Sequence, residues 1–306
     1  MLDVALIGSG GMMPLPGRFL SGLALRYEGS MLLIDCGEGC QISLKMLGWG
    51  FKNIDCICLT HFHADHTAGL VGVLLAMAQS ERIEPVTIIG PRGVKNVVKS
   101  LCIIAPEIPF QMNFIELDRS GVDEMKIDSS LLYLSALPVV HNAPCFAYKI
   151  DIKRTGKFSI ENAEKLPIPR NFWGKLQQGQ TIEHNGKIYT PDMVLGEARR
   201  GLRISYCTDS RPPRALPGFI KGSDLFICEG HYGENEKLEK AKSHHHMIFS
   251  EAAKLAKDGD VKELWLTHFS PAMPNPEYYL KNATSIFKNT IIGKDQMAKT
   301  FFFEGE

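Results

Sequence analysis

The feature that most constrains this chain is the polar turn that follows one apolar segment. The segment "IDCICLT" at 54–60 is typical of a buried strand, and His61, His63, Asp65 and His66 follow it directly. Burying so many polar side chains without partners costs roughly several kcal/mol. Imidazole and carboxylate groups are ligands of zinc and of its neighbours among the transition metals. The sequence therefore predicts a metal site at the carboxyl end of this strand.

The number of donors in this turn predicts more than one ion. Four donors exceed what one tetrahedral ion would take from a single turn while keeping an open position. Further donors must then come from distant parts of the chain. Three such residues end apolar segments: His141 follows "LPVV", Asp209 follows "ISYCT" and His268 follows "LWLT". We predict that these three side chains join the same site.

Composition and charge exclude some classes of protein. The chain has 306 residues with 34 Lys+Arg and 34 Asp+Glu, so no net field attracts nucleic acid or an anionic membrane. The longest apolar run, at 69–78, is too short to cross a bilayer. The beginning of the chain lacks the pattern of a secretory signal, and the eight cysteines lack the spacing of a zinc ribbon. We expect a cytoplasmic protein with reduced thiols and no membrane segment.

The order of the predicted elements indicates an α/β sandwich. Period-2 and continuous apolar runs predict strands at 4–8, 22–29, 31–36, 54–60, 86–90, 131–140, 145–150, 202–209, 224–230, 263–268 and 298–304. Helical patterns fall at 40–48, 67–80, 91–102, 248–259 and around 275–287. Two strand-rich halves with outer helices favour a layered fold.

One segment departs from this order. Residues 151–200 are polar, lack a sustained period and are interrupted by Pro167, Pro169, Gly174 and Gly179. The segment has nine Lys/Arg against six Asp/Glu, a local surplus in a neutral chain. A loop this long inside a compact domain is usually functional or disordered. We therefore interpret it as an insertion.

These motifs resemble a known superfamily. The pattern H-x-H-x-D-H, followed at long range by His, Asp and His at strand ends, resembles the metallo-β-lactamase superfamily, whose fold is a four-layer αβ/βα sandwich. Within it, the chain resembles the ribonuclease Z family through "LLIDCGEGCQ", "LTHFHADHTAGL", "IGPRG", "YCTDSRP" and "LTHFSP". The resemblance runs from about Val4 to Phe303. It implies a single domain over 1–306, with 151–200 as an arm that grips precursor tRNA.

The resemblance also implies a ligand set and a reaction. One ion would be held by His61, His63, His141 and Asp209. The other would be held by Asp65, His66, Asp209 and His268. Two divalent ions per subunit, zinc first and Mn²⁺, Fe²⁺ or Co²⁺ as alternatives, would activate a water that removes the 3′ trailer of precursor tRNA. Asp65 is the implied proton acceptor.

A second pair of residues is implied as the proton donor. The family uses a Glu in a "HEAT" loop and a His in an "HST" loop. Here "CEGH" and "HMI" stand in those places and keep Glu229 and His246. The run of His244, His245 and His246 leaves the choice of histidine open, and the spacing from "EAAKLA" favours His246.

Departures from the family keep three functions open. The loop "PLPGRF" keeps Pro14 and Arg18 but lacks the Lys and Asn of the family's PxKxRN, and "PIPRN" replaces PPGP in the arm. The first function is the tRNA 3′-endonuclease, which the family implies to be a homodimer whose arm serves the partner's active site. The second is a phosphodiesterase of the same fold that acts on small diesters. The third is a non-catalytic protein that binds RNA or metal.

Overall fold

A computed structural model of the chain describes residues 1–127 and 132–305. It divides into two compact units. We call residues 1–151 and 202–302 the body, and residues 152–201 and 303–305 the arm unit. The arm unit overlaps the insertion predicted at 151–200. Its role in RNA binding stays a prediction.

The elements are numbered in chain order. The strands are β1 Leu2–Gly8, β2 Gly22–Tyr27, β3 Ser30–Ile34, β4 Ile54–Cys58, β5 Val86–Pro91, β6 Met112–Leu117, β7 Val122–Lys126, β8 Leu132–Pro138, β9 Phe146–Arg154, β10 Ile182–His184, β11 Lys187–Tyr189, β12 Arg199–Cys207, β13 Leu225–Glu229, β14 Leu264–Thr267, β15 Thr290–Ile292 and β16 Ala298–Phe301. The α-helices are α1 Cys40–Leu47, α2 Ala64–Thr67, α3 Leu70–Gln79, α4 Val94–Leu101, α5 Ile160–Glu164, α6 Trp173–Gln177, α7 Leu216–Phe219, α8 Leu238–Ser243, α9 Phe249–Asp258 and α10 Leu280–Thr284.

Two mixed sheets of seven strands each form the framework. The first sheet has the order β16-β1-β2-β3-β4-β5-β6, and the second has the order β15-β14-β13-β12-β9-β8-β7. In the first sheet β3 to β6 run parallel, and in the second β12 to β15 run parallel. The carboxyl ends of parallel strands meet at one edge of a sheet, so residues that follow β12 and β14 are brought together. The predicted α/β sandwich is confirmed.

Helices pack against each sheet, and each sheet has its own apolar core. In the first, side chains of β3 to β5 such as Leu33 and Ile57 pack with Leu74 of α3 and Val98 of α4. In the second, α9 packs on β13 and β14 through residues such as Phe249. The buried runs of β4 and β13 are nearly continuous, as expected for parallel strands covered on both faces.

Several predicted elements differ from the structure. In place of the helix predicted at 67–80, the structure has α2, which ends at Thr67, and α3, which begins at Leu70. Between them, the Gly69 amide donates to the Cys36 carbonyl. A Cβ on Gly69 would lie 2.1 Å from the Gly37 oxygen. The helix predicted at 275–287 is reduced to a 3₁₀ turn, Pro276–Tyr279, followed by α10. Strands β6, β7 and β15 were not predicted. Leu131, the first residue of a predicted strand, lies outside the described residues.

The arm unit has its own secondary structure and core. It contains α5, α6 and the hairpin β10-β11. Ser159 caps α5 by accepting a hydrogen bond from the Asn162 amide. Its buried apolar side chains are Ala163, Ile168, Leu176, Ile182, Tyr189 and Val194. The insertion is therefore a small folded unit, although its sequence shows no sustained period.

Two further observations concern membranes and thiols. Within residues 1–127 and 132–305, no helix has the length and apolar character that a membrane span requires. The eight cysteines are free, and all are buried except Cys102, which is half-buried.

Candidate metal centre and active site

Strand ends bring the seven predicted ligand residues together. After β4 the chain turns through His61 and His63 into α2, which carries Asp65 and His66. The remaining residues follow strands of the second sheet: His141 after β8, Asp209 after β12 and His268 after β14. Their donor atoms form two groups, each with all atoms within 4.8 Å of one another. The first group is His61, His63, His141 and Asp209; the second is Asp65, His66, Asp209 and His268.

Asp209 belongs to both groups, and its two oxygens face different sets of imidazoles. Oδ2 lies 3.7 Å from Nε2 of His61 and 3.8 Å from Nε2 of His141. Oδ1 lies 3.2 Å from Nε2 of His66 and 2.9 Å from Nε2 of His268. The carboxylate is buried. Asp209 is therefore common to both donor groups.

The spacing of the donors fits bound metal. Nε2 of His66 and Nε2 of His268 are 3.3 Å apart, as are Nε2 of His141 and Nδ1 of His63. Ligand atoms about 2.0–2.1 Å from a tetrahedral ion are about 3.3 Å from one another. Among the described residues, His61 Nε2 and Asp209 Oδ1 are buried without a partner of hydrogen-bond geometry. The donor set is therefore suited to divalent metal ions.

The charges of this cluster are strongly coupled. Burial opposes the charged form of His268, but the Asp209 carboxylate outweighs it and raises the pKa of His268 to about 10. The pKa of His66 is also raised well above its usual value, against burial, by Asp209 and Asp35. Burial and the neighbouring His66 lower the pKa of His61. In the absence of ions, protons on His66 and His268 balance the carboxylates.

Asp35 orients a ligand and was not predicted as a site residue. His66 Nδ1 donates to Asp35 Oδ2 at 2.8 Å, which turns Nε2 toward Asp209. The Thr60 amide donates to Asp35 Oδ1 at 2.8 Å. Such partners fix the tautomer and direction of a metal-binding imidazole. The signal was present, because Asp35 also ends an apolar strand in "LLID".

Three residues at these strand ends have an uncommon backbone conformation. Asp35, Asp209 and His268 have φ values of 61°, 47° and 57°. Residues other than glycine seldom adopt this left-handed region, and such residues cluster at active sites. The surrounding sheets therefore hold these side chains at an energetic cost.

Glu229 and His246 form a buried pair beside the donor groups. His246 Nδ1 lies 3.0 Å from Glu229 Oε2. Glu229 also accepts from the amides of Ser210 at 2.5 Å and Met247 at 3.1 Å. Burial lowers the pKa of His246, but Glu229 outweighs this effect, so the pKa is raised.

The structure distinguishes the three consecutive histidines. His244 is exposed, and its Nδ1 lies 3.0 Å from the Tyr232 hydroxyl. His245 is half-buried, with its ring 6.3 Å from that of His141. His246 is the one that lies beside Glu229, in agreement with the choice that the sequence favoured.

A cavity of about 680 Å³ opens over these groups. Its lining includes Asp65, His141, Asp209 and His246. His231 also lines it, although sequence reasoning did not identify this residue. A cavity of this size accommodates a nucleotide-sized ligand.

The sandwich of two mixed sheets, with a His/Asp cluster at its strand ends, makes this a metallo-β-lactamase-fold protein. It superposes on the metallo-β-lactamase fold protein YhfI from Bacillus subtilis with a TM-score of 0.69 and 19% identity, covering 97% of this chain and 98% of that one. Human tRNase Z, short form, has a TM-score of 0.69 and 22% identity over the same shares.

Sequence comparison narrows the class. The family described as "Anti-Pycsar protein Apyc1" matches residues 2–102. Over 304 residues the chain is 55% identical to ribonuclease Z of Clostridium kluyveri, covering 99% of this chain and 100% of that protein. The chain belongs to the ribonuclease Z family.

Proposed function

We propose that this chain is a metal-dependent endoribonuclease that removes the 3′ trailer of precursor tRNA, acting in the cytoplasm as a homodimer with two ions per subunit, zinc foremost. Membership of the ribonuclease Z family supports the reaction, and 55% identity over nearly the full length supports the whole assignment. The observation that carries it is the Asp209 carboxylate, shared by two donor groups. His246 lies in the wall of the same cavity and is held from behind by the buried Glu229.

The proposed ligands are the two groups that share Asp209. When bound, two divalent ions lower the pKa of a water and stabilise negative charge on the phosphoryl oxygens. Buried imidazole and carboxylate side chains without thiolate suit zinc, and also manganese, iron or cobalt. The protein contributes the fixed positions of these groups and their exclusion from bulk water.

Asp65 is the proposed proton acceptor for the attacking water. The Met12 amide donates to Asp65 Oδ2 at 2.6 Å, and His268 Nε2 lies 3.3 Å from the same oxygen. Burial raises the pKa of Asp65, but the hydrogen bond from His268 and the nearby imidazoles outweigh it, so the pKa is lowered. Without ions Asp65 is therefore ionised at neutral pH, and bound cations would favour the same charged form, as a proton acceptor requires.

His246 is the proposed proton donor. Its Nδ1 faces Glu229, which leaves Nε2 to give a proton to the leaving 3′-oxygen. In the complete step, the new bond joins the water oxygen to phosphorus, and the bond from phosphorus to the 3′-oxygen breaks. Asp65 takes a proton from the water while His246 gives one to the leaving oxygen. General acid–base catalysis of this kind contributes about 10²–10⁴-fold to a rate.

The test is cleavage of a 3′-extended precursor tRNA by zinc-loaded protein. We expect a single cut after the discriminator base, and its loss in Asp65→Ala. Asp118→Ala is the matched control, because this carboxylate is exposed and, among the described residues, accepts hydrogen bonds from Ser120 of its own turn. Uncut precursor with the wild-type protein, or equal cutting by Asp65→Ala, would contradict the proposal.

A second candidate is a phosphodiesterase for small diesters. It is favoured by the position of Arg18, the remaining basic residue of the "PLPGRF" loop. Its guanidinium donates to the carbonyls of Met273 at 3.0 Å and Pro274 at 2.8 Å. These bonds engage the guanidinium within the body and not with a phosphate of RNA. Hydrolysis of bis(p-nitrophenyl) phosphate with no cut in the precursor would favour this function.

A further inference from the structure

His231 is a buried titratable residue that the proposed reaction does not use. It follows β13, two residues after Glu229, and only 1% of it is exposed. Gly230 makes this turn possible, because a Cβ there would lie 2.6 Å from the Phe249 ring. The Ser270 amide donates to the His231 carbonyl at 3.2 Å. The backbone of His231 is therefore fixed between two strand ends.

The His231 ring lies flat against the His246 ring. Their centroids are 4.0 Å apart and their planes differ by 10°. Nδ1 of His231 lies 3.2 Å from the His268 carbonyl oxygen. Because a carbonyl only accepts, Nδ1 carries the hydrogen of this bond. His231 is thus anchored to the residue that supplies a metal ligand, and it presents a ring face to the proposed proton donor.

These contacts complete the support of His246. Glu229 holds the His246 ring at one edge, through its Nδ1, and this hydrogen bond resists tilting of the ring plane less than it resists rotation of the ring about the Cβ–Cγ bond. A flat partner packed on the ring face further limits this tilting. Proton transfer needs a donor held in line with the leaving oxygen, and a small misplacement costs a large factor in rate.

We infer that His231 is a positioning residue, whose ring fixes the plane of His246 for proton delivery to the leaving oxygen. The inference rests on the proposed proton-donor role of His246.

The same contacts argue against a further ion at this place. Donor atoms of Glu229, His231, His246 and His268 lie within 4.8 Å of one another. However, parallel rings direct their lone pairs side by side and not to one point. Nδ1 of His231 also donates a hydrogen bond to the His268 carbonyl, so it is not directed at an ion. Stacking, not ligation, is therefore the role of this ring.

The experiment compares two leaving groups. The 3′-oxygen of RNA needs a proton, whereas p-nitrophenolate, the leaving group of bis(p-nitrophenyl) phosphate, departs without one. We expect His231→Ala to lower kcat on precursor tRNA by roughly 10–100-fold, with KM within about threefold. On the small diester the loss should be at least about tenfold smaller. Bound zinc, measured by mass spectrometry, should not change.

Two replacements separate the ring from the hydrogen bond. His231→Phe keeps a flat ring and loses the donor, so RNA cleavage should recover to within about fivefold of wild type. His231→Asn keeps a donor near the Nδ1 position and loses the ring, so it should resemble His231→Ala. The reverse order, or equal losses on both substrates with loss of zinc, would overturn the inference in favour of a structural role.

His246→Ala distinguishes this inference from the proposed function. It should lose RNA cleavage and keep most hydrolysis of the small diester. If His246→Ala behaves in this way and His231→Ala cleaves RNA normally, the inference is wrong and the proposed function stands. If His246→Ala loses both activities equally, the proton-donor role is wrong and the inference fails with it.

Discussion

At the scale of the residue, the Glu229–His246 pair determines at which pH the proposed proton donor is charged. Glu229 is fully buried and accepts hydrogen bonds from two backbone amides in addition to the one from the His246 ring. Those amides hold the carboxylate in place beside the His246 ring. The raised pKa of His246 favours its protonated form, as a general acid requires.

Replacing Glu229 with Gln should change the pH dependence of RNA cleavage. The amide can still accept a hydrogen bond from His246 Nδ1 but carries no charge, so burial then dominates and lowers the pKa of His246. A general acid works below its pKa, and the falling limb of the kcat/KM profile should therefore move to lower pH. If the limb moves by about one pH unit, activity above it should fall about tenfold.

The profile is measured between pH 5.5 and 9 with precursor tRNA. Bis(p-nitrophenyl) phosphate is the control substrate, and the replacement should leave the shape of its profile unchanged because its leaving group needs no proton. A limb that stays in place, or moves to higher pH, would show that Glu229 does not act on the charge of His246.

The positions of the predicted ligands stand out in the sequence, and their role in metal binding stays a prediction, whereas the contacts made by Asp35 and His231 do not stand out. His141, Asp209 and His268 each follow an apolar run, and a polar residue at such a position is visible without a structure. Asp35 acts through a contact with His66 that depends on the pairing of β3 with β4, in which Ile34 is opposite Cys58. His231 acts through ring stacking. Neither contact leaves a periodic trace in the sequence.

At the scale of the element, the arm unit shows where pattern reading fails. Its helices α5 and α6 have five residues each, and its strands β10 and β11 have three. A period becomes visible over about 11–18 residues. Elements this short therefore leave only scattered apolar residues, although these form a core of their own.

Removal of the arm should separate the two substrates. The Gly196 amide donates to the Lys157 carbonyl at 2.9 Å, and Phe158 pairs with Leu195, so the base of the arm is narrow. Replacing 158–195 with Gly-Gly should join these ends. We expect precursor-tRNA affinity to fall at least about tenfold and its salt dependence to weaken, because Lys165, Arg170 and Lys175 are removed. Hydrolysis of the small diester should stay within about twofold of wild type.

A charge variant and a mixing experiment complete this test. Lys165 and Arg170 are paired with Glu161 at 2.7 Å and Glu164 at 3.1 Å, so Lys165→Gln with Arg170→Gln tests their charge without removing the arm. Mixing the armless protein with Asp65→Ala should restore cleavage if one subunit's arm serves the partner's active site. Unchanged tRNA affinity in the armless protein would contradict an RNA-binding arm.

At the scale of the whole body, the candidate metal centre connects the two sheets. His61, His63, Asp65 and His66 follow β4 of the first sheet, whereas His141, Asp209 and His268 follow strands of the second. Ions bound by both sets would therefore cross-link the sandwich at one edge. Because the donors are assembled only by folding, ion binding should stabilise the native state.

Zinc should raise the melting temperature of the protein, and the increase should grow with pH. Free zinc at about 100 times its Kd adds about 2.7 kcal/mol per site to the free energy of unfolding. For two sites this should raise the melting temperature by at least about 5 °C. Without ions, protonated His66 and His268 stabilise the folded state through Asp209. This contribution is fully present below the pKa of these histidines in the unfolded chain. It is lost as pH rises through their raised pKa in the folded state, which is about 10 for His268. Ions replace those protons, so the zinc-bound protein lacks this loss.

Calorimetry at pH 6.5 and 8.5, with zinc or with a chelator, should therefore show the larger difference in melting temperature at pH 8.5. Asp209→Asn is the matched control, because it keeps the size of the side chain and tolerates a φ of 47°. This variant lacks the charge that both donor groups share, so it should melt at one temperature under both treatments. Equal melting temperatures of wild-type protein with zinc and with chelator would contradict an ion that joins the sheets.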